Sequence, residues 1–188
     1  METIVNALPL VLSIGAYVPY IWGLLKQGKQ TAKRSWLVFL VANTVTLVAM
    51  LVQGQVAPQV IAYEIGIIAI FLIVCRRPAP AWSRIEKLVI AIAVTAAVSG
   101  LFLGPQATIV GCMIAVSIGS IPLFKMLWGN PDGEPRVAWA LFLIGSIIYL
   151  FNLGPVSGWT IMTALAPVVF LLQQITVLVL GIPFRPRT

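Results

Sequence analysis

Shortages of reactive side chains exclude several classes of function from the start. The sequence has no histidine, and only five of its 188 residues are acidic. The chain therefore has few of the groups that act most often as general bases or metal ligands. We expect neither an enzyme, nor a metal site, nor a bound cofactor.

Charge of either sign is also scarce. Charged residues make up 9% of the chain and hydrophobic residues 60%, and the mean hydropathy is +1.03. These values lie far from those of soluble domains. The composition predicts a multi-pass protein of the plasma membrane, which is the inner membrane in bacteria, with the lipid bilayer as a partner.

Long apolar runs dominate the rest of the sequence. A helix needs about 20 apolar residues to cross a hydrocarbon core of about 30 Å. By this measure we find seven segments: 4–25, 36–53, 58–75, 87–104, 106–128, 137–153 and 159–182. We predict an all-α fold, a polytopic membrane protein with seven transmembrane helices. Cys75 and Cys112 would then lie near opposite membrane faces, which excludes a disulfide between them.

The basic residues test this count, because cytoplasmic loops carry most of the Lys and Arg in membrane proteins. With seven segments, all twelve basic residues fall on one side, which places the N-terminus outside and the C-terminus in the cytoplasm. The net charge of +7 reflects this orientation, so nucleic acid is not an expected partner. The twelve are Lys26, Lys29, Lys33, Arg34, Arg76, Arg77, Arg84, Lys87, Lys125, Arg136, Arg185 and Arg187.

A retinal-binding photoreceptor is a seven-helix alternative that one residue type excludes. Such a protein needs a lysine in its last helix to form the Schiff base with retinal. No lysine follows Lys125 in this sequence. The seventh segment therefore cannot hold that chromophore.

The two ends of the chain are related by an internal repeat. At an offset of 103 residues, Pro19 matches Pro122, Trp36 matches Trp139, and a phenylalanine pair also matches. The same offset superposes the first three segments on the last three. Two three-helix units lie parallel only if one extra helix joins them. We therefore divide the chain into a first repeat at 1–76, a cytoplasmic loop with linker helix at 77–104, and a second repeat at 105–188.

This layout resembles the SWEET and PQ-loop family of transporters. The resemblance covers nearly the whole chain and depends on the architecture and on a proline that is followed by a basic loop and a tryptophan. It implies two parallel three-helix bundles joined by a linker helix, around a solute site near the membrane midplane. It also implies sugar as the first choice of solute. The two patterns are Pro19 with Ser35-Trp36 and Pro122 with Ala138-Trp139.

The repeated prolines are candidate hinges. A proline inside a helix removes one backbone hydrogen bond and clashes with the preceding turn. We expect Pro19 and Pro122 to bend their helices near the cytoplasmic side and to act as inner gates. The alternative is that both prolines only serve packing, since proline is common in membrane helices.

Polar and aromatic residues inside the segments are the candidate binding residues, because polar groups are costly in lipid unless they face protein or water. Uncharged donors and acceptors mixed with aromatic rings suit a neutral solute. Glu64 is an acid inside a segment, and we expect it to bind solute, to carry a proton or to anchor its helix. The candidates are Tyr17, Trp36, Asn43, Glu64, Trp139, Ser146, Asn152 and Gln173.

These observations predict a transporter of a small neutral solute that works by alternating access, either facilitative or proton-linked. A carrier of a vitamin precursor or an amino acid is an alternative with the same layout. A non-transporting membrane receptor of this fold is an alternative from another class. The oligomeric state stays open, and a homo-oligomer is compatible with the sequence.

Overall fold

A computed structural model describes residues 2–52, 58–77, 84–157 and 161–182 of the chain. Within these ranges the protein is all-helical, as predicted, and contains no strand. Arg185 and Arg187, and the predicted segment limits at 53 and 159, lie outside the described residues. The helices are α1 (Glu2–Lys26), α2 (Lys33–Val52), α3 (Pro58–Cys75), α4 (Arg84–Leu103), α5 (Pro105–Gly119), α6 (Ile121–Gly129), α7 (Arg136–Ser157) and α8 (Ile161–Leu180).

The helices follow the predicted apolar segments closely, with one difference in the fifth. The segment 106–128 consists of two helices, α5 and α6, which meet at Ser120. Pro122 lies in the first turn of α6 and has no backbone N–H to continue the ladder of α5. In α1 the helix runs through Pro19 without such an interruption. The two prolines therefore occupy different local structures.

Three stretches are long and apolar enough to cross a membrane, judged by length and composition. They are Leu8–Lys26, Lys33–Val52 and Pro105–Gly129, which takes α5 and α6 together. The other apolar helices are shorter within the described residues. This confirms the coarse prediction that the chain has the helices of a membrane protein.

The surface and the interior differ in the way expected of a protein in lipid. Large apolar side chains such as Val18, Val52 and Phe102 are exposed on the outside, and Phe102 is 83% exposed. Polar side chains such as Ser13 and Ser146 are fully buried. An apolar exterior around polar interior positions fits a bilayer better than water.

Contacts between helices follow the same pattern in the two halves of the chain. In the first half α3 contacts both α1 and α2, and in the second half α8 contacts both α5 and α7. Across the halves α1 contacts α7, and α2 contacts α5. The helix α4 packs along α5 and also contacts α2.

Glycines allow the closest of these approaches. A methyl group at Gly66 in α3 would overlap the ring of Tyr17 in α1. At Gly100 in α4 a methyl group would meet the backbone of Thr108 in α5. Small residues at such positions allow helix backbones to approach closely in lipid, where no hydrophobic force drives the helices together.

The loops that basic residues flank or occupy meet at one end of the bundle, which we call the basic end. It comprises residues 27–32 after α1, residues 76–77 after α3 and residues 130–135 between α6 and α7. The N–H of Gln30 donates to the carbonyl of Gly133 at 3.0 Å, and the Lys29 Nζ donates to the carbonyl of Asp132 at 2.6 Å. Arg77 donates to the carbonyl of Lys29 at 2.9 Å.

Candidate functional site

A cavity lies between helices from both halves of the chain. The space that the centre of a water molecule can occupy in it is about 40 Å³. This is room for a few water molecules. Most of its wall is aromatic, and two glutamines supply amide groups. The lining residues are Tyr17, Trp36, Phe39, Tyr63, Ile67, Trp139, Phe142, Phe170, Gln173 and Gln174.

The internal repeat reappears in the wall of this cavity. Three pairs of lining residues are separated by the same offset of 103 positions. Each pair places one side chain from α2 or α3 and its counterpart from α7 or α8 against the same space. Equivalent positions of the two repeats therefore line the cavity from both halves of the chain. The pairs are Trp36 with Trp139, Phe39 with Phe142, and Ile67 with Phe170.

The rings in the wall contact one another edge to face. The ring centroids of Tyr17 and Phe142 are 4.8 Å apart, and those of Tyr63 and Phe170 are 5.1 Å apart. Edge-to-face pairs at such distances are favourable because the positive edge of one ring meets the negative face of the other. These contacts fix the shape of the wall and present ring faces and edges to the cavity.

Gln174 gives the cavity an acceptor that is left without a donor. The residue is 3% exposed, and its Oε1 has no hydrogen-bond partner in the part of the chain that the structure describes. Its Nε2 lies 3.5 Å from the hydroxyl of Tyr63. A buried carbonyl without a donor costs about 1–3 kcal/mol. A ligand with a hydroxyl or N–H group in the cavity would remove this cost.

Ser146 joins this polar part of the wall through Tyr63. The Tyr63 hydroxyl and the Ser146 Oγ are 3.2 Å apart, and both residues are buried. The Tyr17 hydroxyl donates to the carbonyl of Tyr63 at 3.2 Å. These contacts connect α1, α3, α7 and α8 around one tyrosine.

Glu64 and Asn43 form a separate polar cluster between α2 and α3. The Nδ2 of Asn43 donates to one carboxylate oxygen of Glu64 at 2.7 Å, and the hydroxyl of Thr44 lies 2.7 Å from the other. The Asn43 Nδ2 also lies 3.3 Å from the carbonyl of Val60. Neither Glu64 nor Asn43 lines the cavity.

A second carboxyl group lies buried at the basic end. Glu134 is 1% exposed, and its Oε2 accepts hydrogen bonds from the Tyr20 hydroxyl and, at 3.0 Å, from the Trp139 indole. Burial raises the pKa of Glu134 from its ordinary value of 4.5 to about 7. The hydrogen bonds from Thr31, Tyr20 and Trp139 and the charge of Lys29 oppose that rise.

The structure brings together only part of the predicted site. Four predicted residues line the cavity, namely Tyr17, Trp36, Trp139 and Gln173. Ser146 does not line it, but its Oγ contacts the hydroxyl of Tyr63, which does. The Asn43 and Glu64 pair lies elsewhere, and Asn152 is partly exposed and does not line the cavity. Pro19 and Pro122 are also absent from the lining. The binding roles of Asn43, Glu64 and Asn152 and the hinge roles of Pro19 and Pro122 stay predictions.

Sequence reasoning did not assign several residues that the structure places at the two sites. For Glu134 a signal existed, because the repeat offset of 103 relates it to Thr31, and both accept a hydrogen bond from the tryptophan five positions later. Weaker signals existed for Tyr20, Tyr63 and Gln174, which are polar residues inside apolar segments, and for the pairs Phe39 with Phe142 and Ile67 with Phe170 at the repeat offset. The residues not assigned are Phe39, Tyr63, Ile67, Phe142, Phe170 and Gln174 at the cavity and Tyr20, Thr31 and Glu134 at the basic end.

Comparisons with known proteins identify no relative: no protein-family model, no curated protein and no solved structure matches the chain. The resemblance to SWEET and PQ-loop transporters therefore depends on helix layout and the two proline-to-tryptophan patterns. A functional assignment has to be argued from the cavity and the helices around it.

Proposed function

We propose that the protein is a multi-pass membrane transporter that moves a small neutral solute by alternating access. In this proposal seven transmembrane helices form two parallel three-helix bundles, with α1, α2 and α3 in the first and α5–α6, α7 and α8 in the second. The helix α4 is the linker. The N-terminus is outside, and the basic end faces the cytoplasm.

The helix contacts support the two-bundle arrangement. If the repeats are related by a two-fold axis, the contact of α1 with α7 corresponds to the contact of α5 with α2, and both are present. In each half, the third helix also contacts the other two. The pairs Trp36 with Trp139 and Phe39 with Phe142 line one cavity, as such an axis requires.

The observation that carries the solute class is Gln174. Gln174 lines the largely aromatic wall, its buried Oε1 has no donor among the described residues, and none of the described residues that line the cavity is charged. Such a wall stabilises a neutral ligand by stacking and by a few hydrogen bonds. A charged solute would have to lose its hydration without gaining an ionic partner, which is costly.

Transport also requires the cavity to change size. The cavity has room for water centres in a volume of only about 40 Å³. Ligand sites are larger and commonly have volumes of several hundred Å³. We interpret the structure as a closed conformation from which one end opens to admit solute. A wall built from both halves widens when the two bundles rock against each other.

Sugar is the first choice of solute, because of the resemblance and because sugar hydroxyls can donate to Gln174. A planar vitamin precursor is the second, because the aromatic wall suits a ring. A neutral amino acid is the third. The receptor alternative remains, since a receptor also needs a ligand cavity but does not need to open at both ends.

Ligand-induced stabilisation of the purified protein tests the solute class. A panel of sugars, neutral amino acids and vitamin precursors is added, and the melting temperature is measured. A solute at 100 times its Kd stabilises the folded state by about 2.7 kcal/mol. We expect one neutral class to raise the melting temperature and charged analogues of that class to leave it unchanged.

Two matched variants connect the result to the cavity. Gln174→Leu leaves a solute donor unpaired, so the affinity should fall by about 5- to 150-fold, which corresponds to about 1–3 kcal/mol. Gln27→Leu changes an exposed glutamine beyond α1 and should leave the affinity unchanged. Equal affinity in wild type and Gln174→Leu would refute the cavity as the site.

A further inference from the structure

Glu134 occupies an unusual position for an acid in a loop. It lies between α6 and α7, where side chains normally reach water, but it is 1% exposed. Acidic residues are almost never fully buried unless they are paired. Its partners come from both halves of the chain, with Tyr20 on α1 and Trp139 on α7. The side chain therefore joins the two halves at the basic end.

The hydrogen bonds around Glu134 are incomplete for an ionised carboxylate. Its Oε2 accepts from Tyr20 and Trp139, and the nearby Thr31 hydroxyl also favours the ionised form, whereas its Oε1 is buried and meets no hydrogen-bond geometry with any described residue. An ionised oxygen buried without a donor is costly, and a bound proton removes the charge. The pKa of about 7 agrees with this geometry.

The charged groups of the basic end are directed mainly at partners other than Glu134. From the loop after α1, Lys29 donates to the carbonyl of Asp132 at 2.6 Å. On the same loop as Glu134, Asp132 forms an exposed ion pair with Arg136 at 2.7 Å. From α3, Arg77 donates to the carbonyls of Lys29 and Leu24. From α2, Lys33 donates to the carbonyl of Cys75 at 2.8 Å.

The two halves share a hydrogen bond from a tryptophan indole to the residue five positions earlier. The acceptor is Glu134 in one half and a neutral residue in the other. In the first half the Trp36 indole donates to the Thr31 hydroxyl at 2.7 Å, and in the second half the Trp139 indole donates to Glu134 at 3.0 Å. The Tyr20 hydroxyl contacts both acceptors, with its oxygen 3.0 Å from the Thr31 Oγ1. The second half therefore brings a carboxylic acid to the position that a neutral hydroxyl occupies in the first half.

We propose that Glu134 is a proton-binding site whose protonated form holds the basic end closed and whose ionisation releases it. Binding of the proton converts the carboxylate to a neutral carboxyl group, and no other bond changes. In the open state the loop 130–135 moves away from Tyr20, and Glu134 reaches water.

The direction of the pH effect follows from the two titrations. The exposed acid has its ordinary pKa of 4.5, and the docked acid has a pKa of about 7. The closed state, in which the loop 130–135 is docked against Tyr20 and the loop 27–32, therefore binds the proton more tightly. Docking of this loop is strongest below pH 4.5. Docking weakens as the pH rises from 4.5 to 7, by up to about 300-fold, and then becomes constant.

The consequence for transport rests on the proposed function. The indoles of Trp36 and Trp139 line the cavity and also donate to Thr31 and Glu134. Opening the basic end would therefore move two walls of the cavity. A proton that is bound when the basic end is closed and released when it opens would link solute release to pH.

Hydrogen–deuterium exchange measures closure without any solute. The Gln30 amide is bonded to the carbonyl of Gly133, so its protection reports docking of the two loops. In the purified full chain, protection should fall as the pH rises from 5 to 8, by up to about 70-fold after correction for the intrinsic rate. Glu134→Gln, which mimics the protonated acid, should stay protected at every pH.

Two further variants assign the pH effect to Glu134. Asp132→Asn removes an exposed acid from the same loop and should keep the wild-type pH dependence. Tyr20→Phe removes a hydrogen bond that lowers the pKa of Glu134, so its midpoint should move to higher pH. A wild-type pH dependence in Glu134→Gln, or an unchanged midpoint in Tyr20→Phe, would overturn the proposal. Ligand-induced stabilisation does not depend on this exchange, so either proposal can fail separately.

Discussion

At the scale of single residues, buried polar groups fall into two kinds, paired and unpaired. Glu64 is paired, because Asn43 and Thr44 each contact one of its oxygens at 2.7 Å. Gln174 keeps an acceptor without a donor. A paired group stabilises the contact between its helices, whereas an unpaired group beside a cavity is free to bind a water molecule or a ligand there. We therefore separate Glu64 from the solute site.

Substitutions of Glu64 test this separation. Glu64→Leu leaves the Asn43 amide with only a 3.3 Å contact to Val60, so the free energy of unfolding should fall by about 1–3 kcal/mol. Glu64→Gln keeps an acceptor for Asn43 and adds a donor for Thr44, whose hydroxyl also lies 2.8 Å from the Leu40 carbonyl. Its stability should stay near wild type in thermal unfolding, with unchanged solute affinity.

A weakened solute affinity in Glu64→Gln with intact stability would contradict this separation. It would return Glu64 to the binding role that its position in an apolar segment suggests.

The sequence predicts some site residues much better than others for a physical reason. Trp36 and Trp139 are repeated at one offset, and a symmetric cavity needs equivalent residues on both sides. Glu134 lies in a loop, and its burial depends on how residues 27–32 and 130–135 dock. Hydropathy along the chain contains no information on such docking, so an acid in this loop resembles a solvated residue.

At the scale of helices, the two prolines differ in their local structure. The segment that contains Pro122 is divided at Ser120, whose hydroxyl lies 2.7 Å from the Val116 carbonyl. The helix α1 continues through Pro19. An interrupted backbone ladder bends more easily than a continuous one. If the prolines are hinges, Pro122 is the one with the interruption.

Pro122→Ala restores a backbone N–H and should join α5 and α6. We expect the melting temperature to rise, by an amount that corresponds to at most about 3 kcal/mol, and the transport rate to fall with little change in solute affinity. Pro19→Ala should have the smaller effect on rate. Unchanged rates in the double variant would reduce both prolines to a packing role.

The contact between α1 and α3 depends on Gly66. A methyl group there overlaps the Tyr17 ring, which lines the cavity. Gly66→Ala should lower the free energy of unfolding by about 1–3 kcal/mol and also weaken solute binding, because Tyr17 must move. Gly15→Ala, with nothing within 4 Å of the added methyl, should be neutral or stabilising by about 0.5–1 kcal/mol. Equal stability of the two variants would refute the tight contact.

At the scale of the whole molecule, the helices could be predicted and their packing only in part. Apolar segments bounded by charged or turn-forming residues indicate where helices begin and end, and α3 begins and ends as predicted. Which helices touch depends on small residues such as Gly66 and Gly100, whose partners lie far away in sequence. The break between α5 and α6 at Ser120 also depends on local backbone hydrogen bonds, which hydropathy does not show.

The orientation of the chain is a prediction for the whole molecule. Reporter domains fused at Met1 and Thr188 should map to opposite sides, with Thr188 in the cytoplasm, because seven crossings gather the basic residues on the cytoplasmic side. Both termini lie outside the described residues. Reporters on the same side would contradict seven crossings and the two-bundle arrangement with them.

Solute flux in proteoliposomes tests the central claim most directly. Purified protein is reconstituted, and uptake of radiolabelled sugars, neutral amino acids and vitamin precursors is compared with that in protein-free vesicles. We predict that the solute which stabilises the protein also crosses the membrane, and that Gln174→Leu slows its uptake while Gln27→Leu does not. A solute that binds but does not cross would contradict transport and favour the receptor.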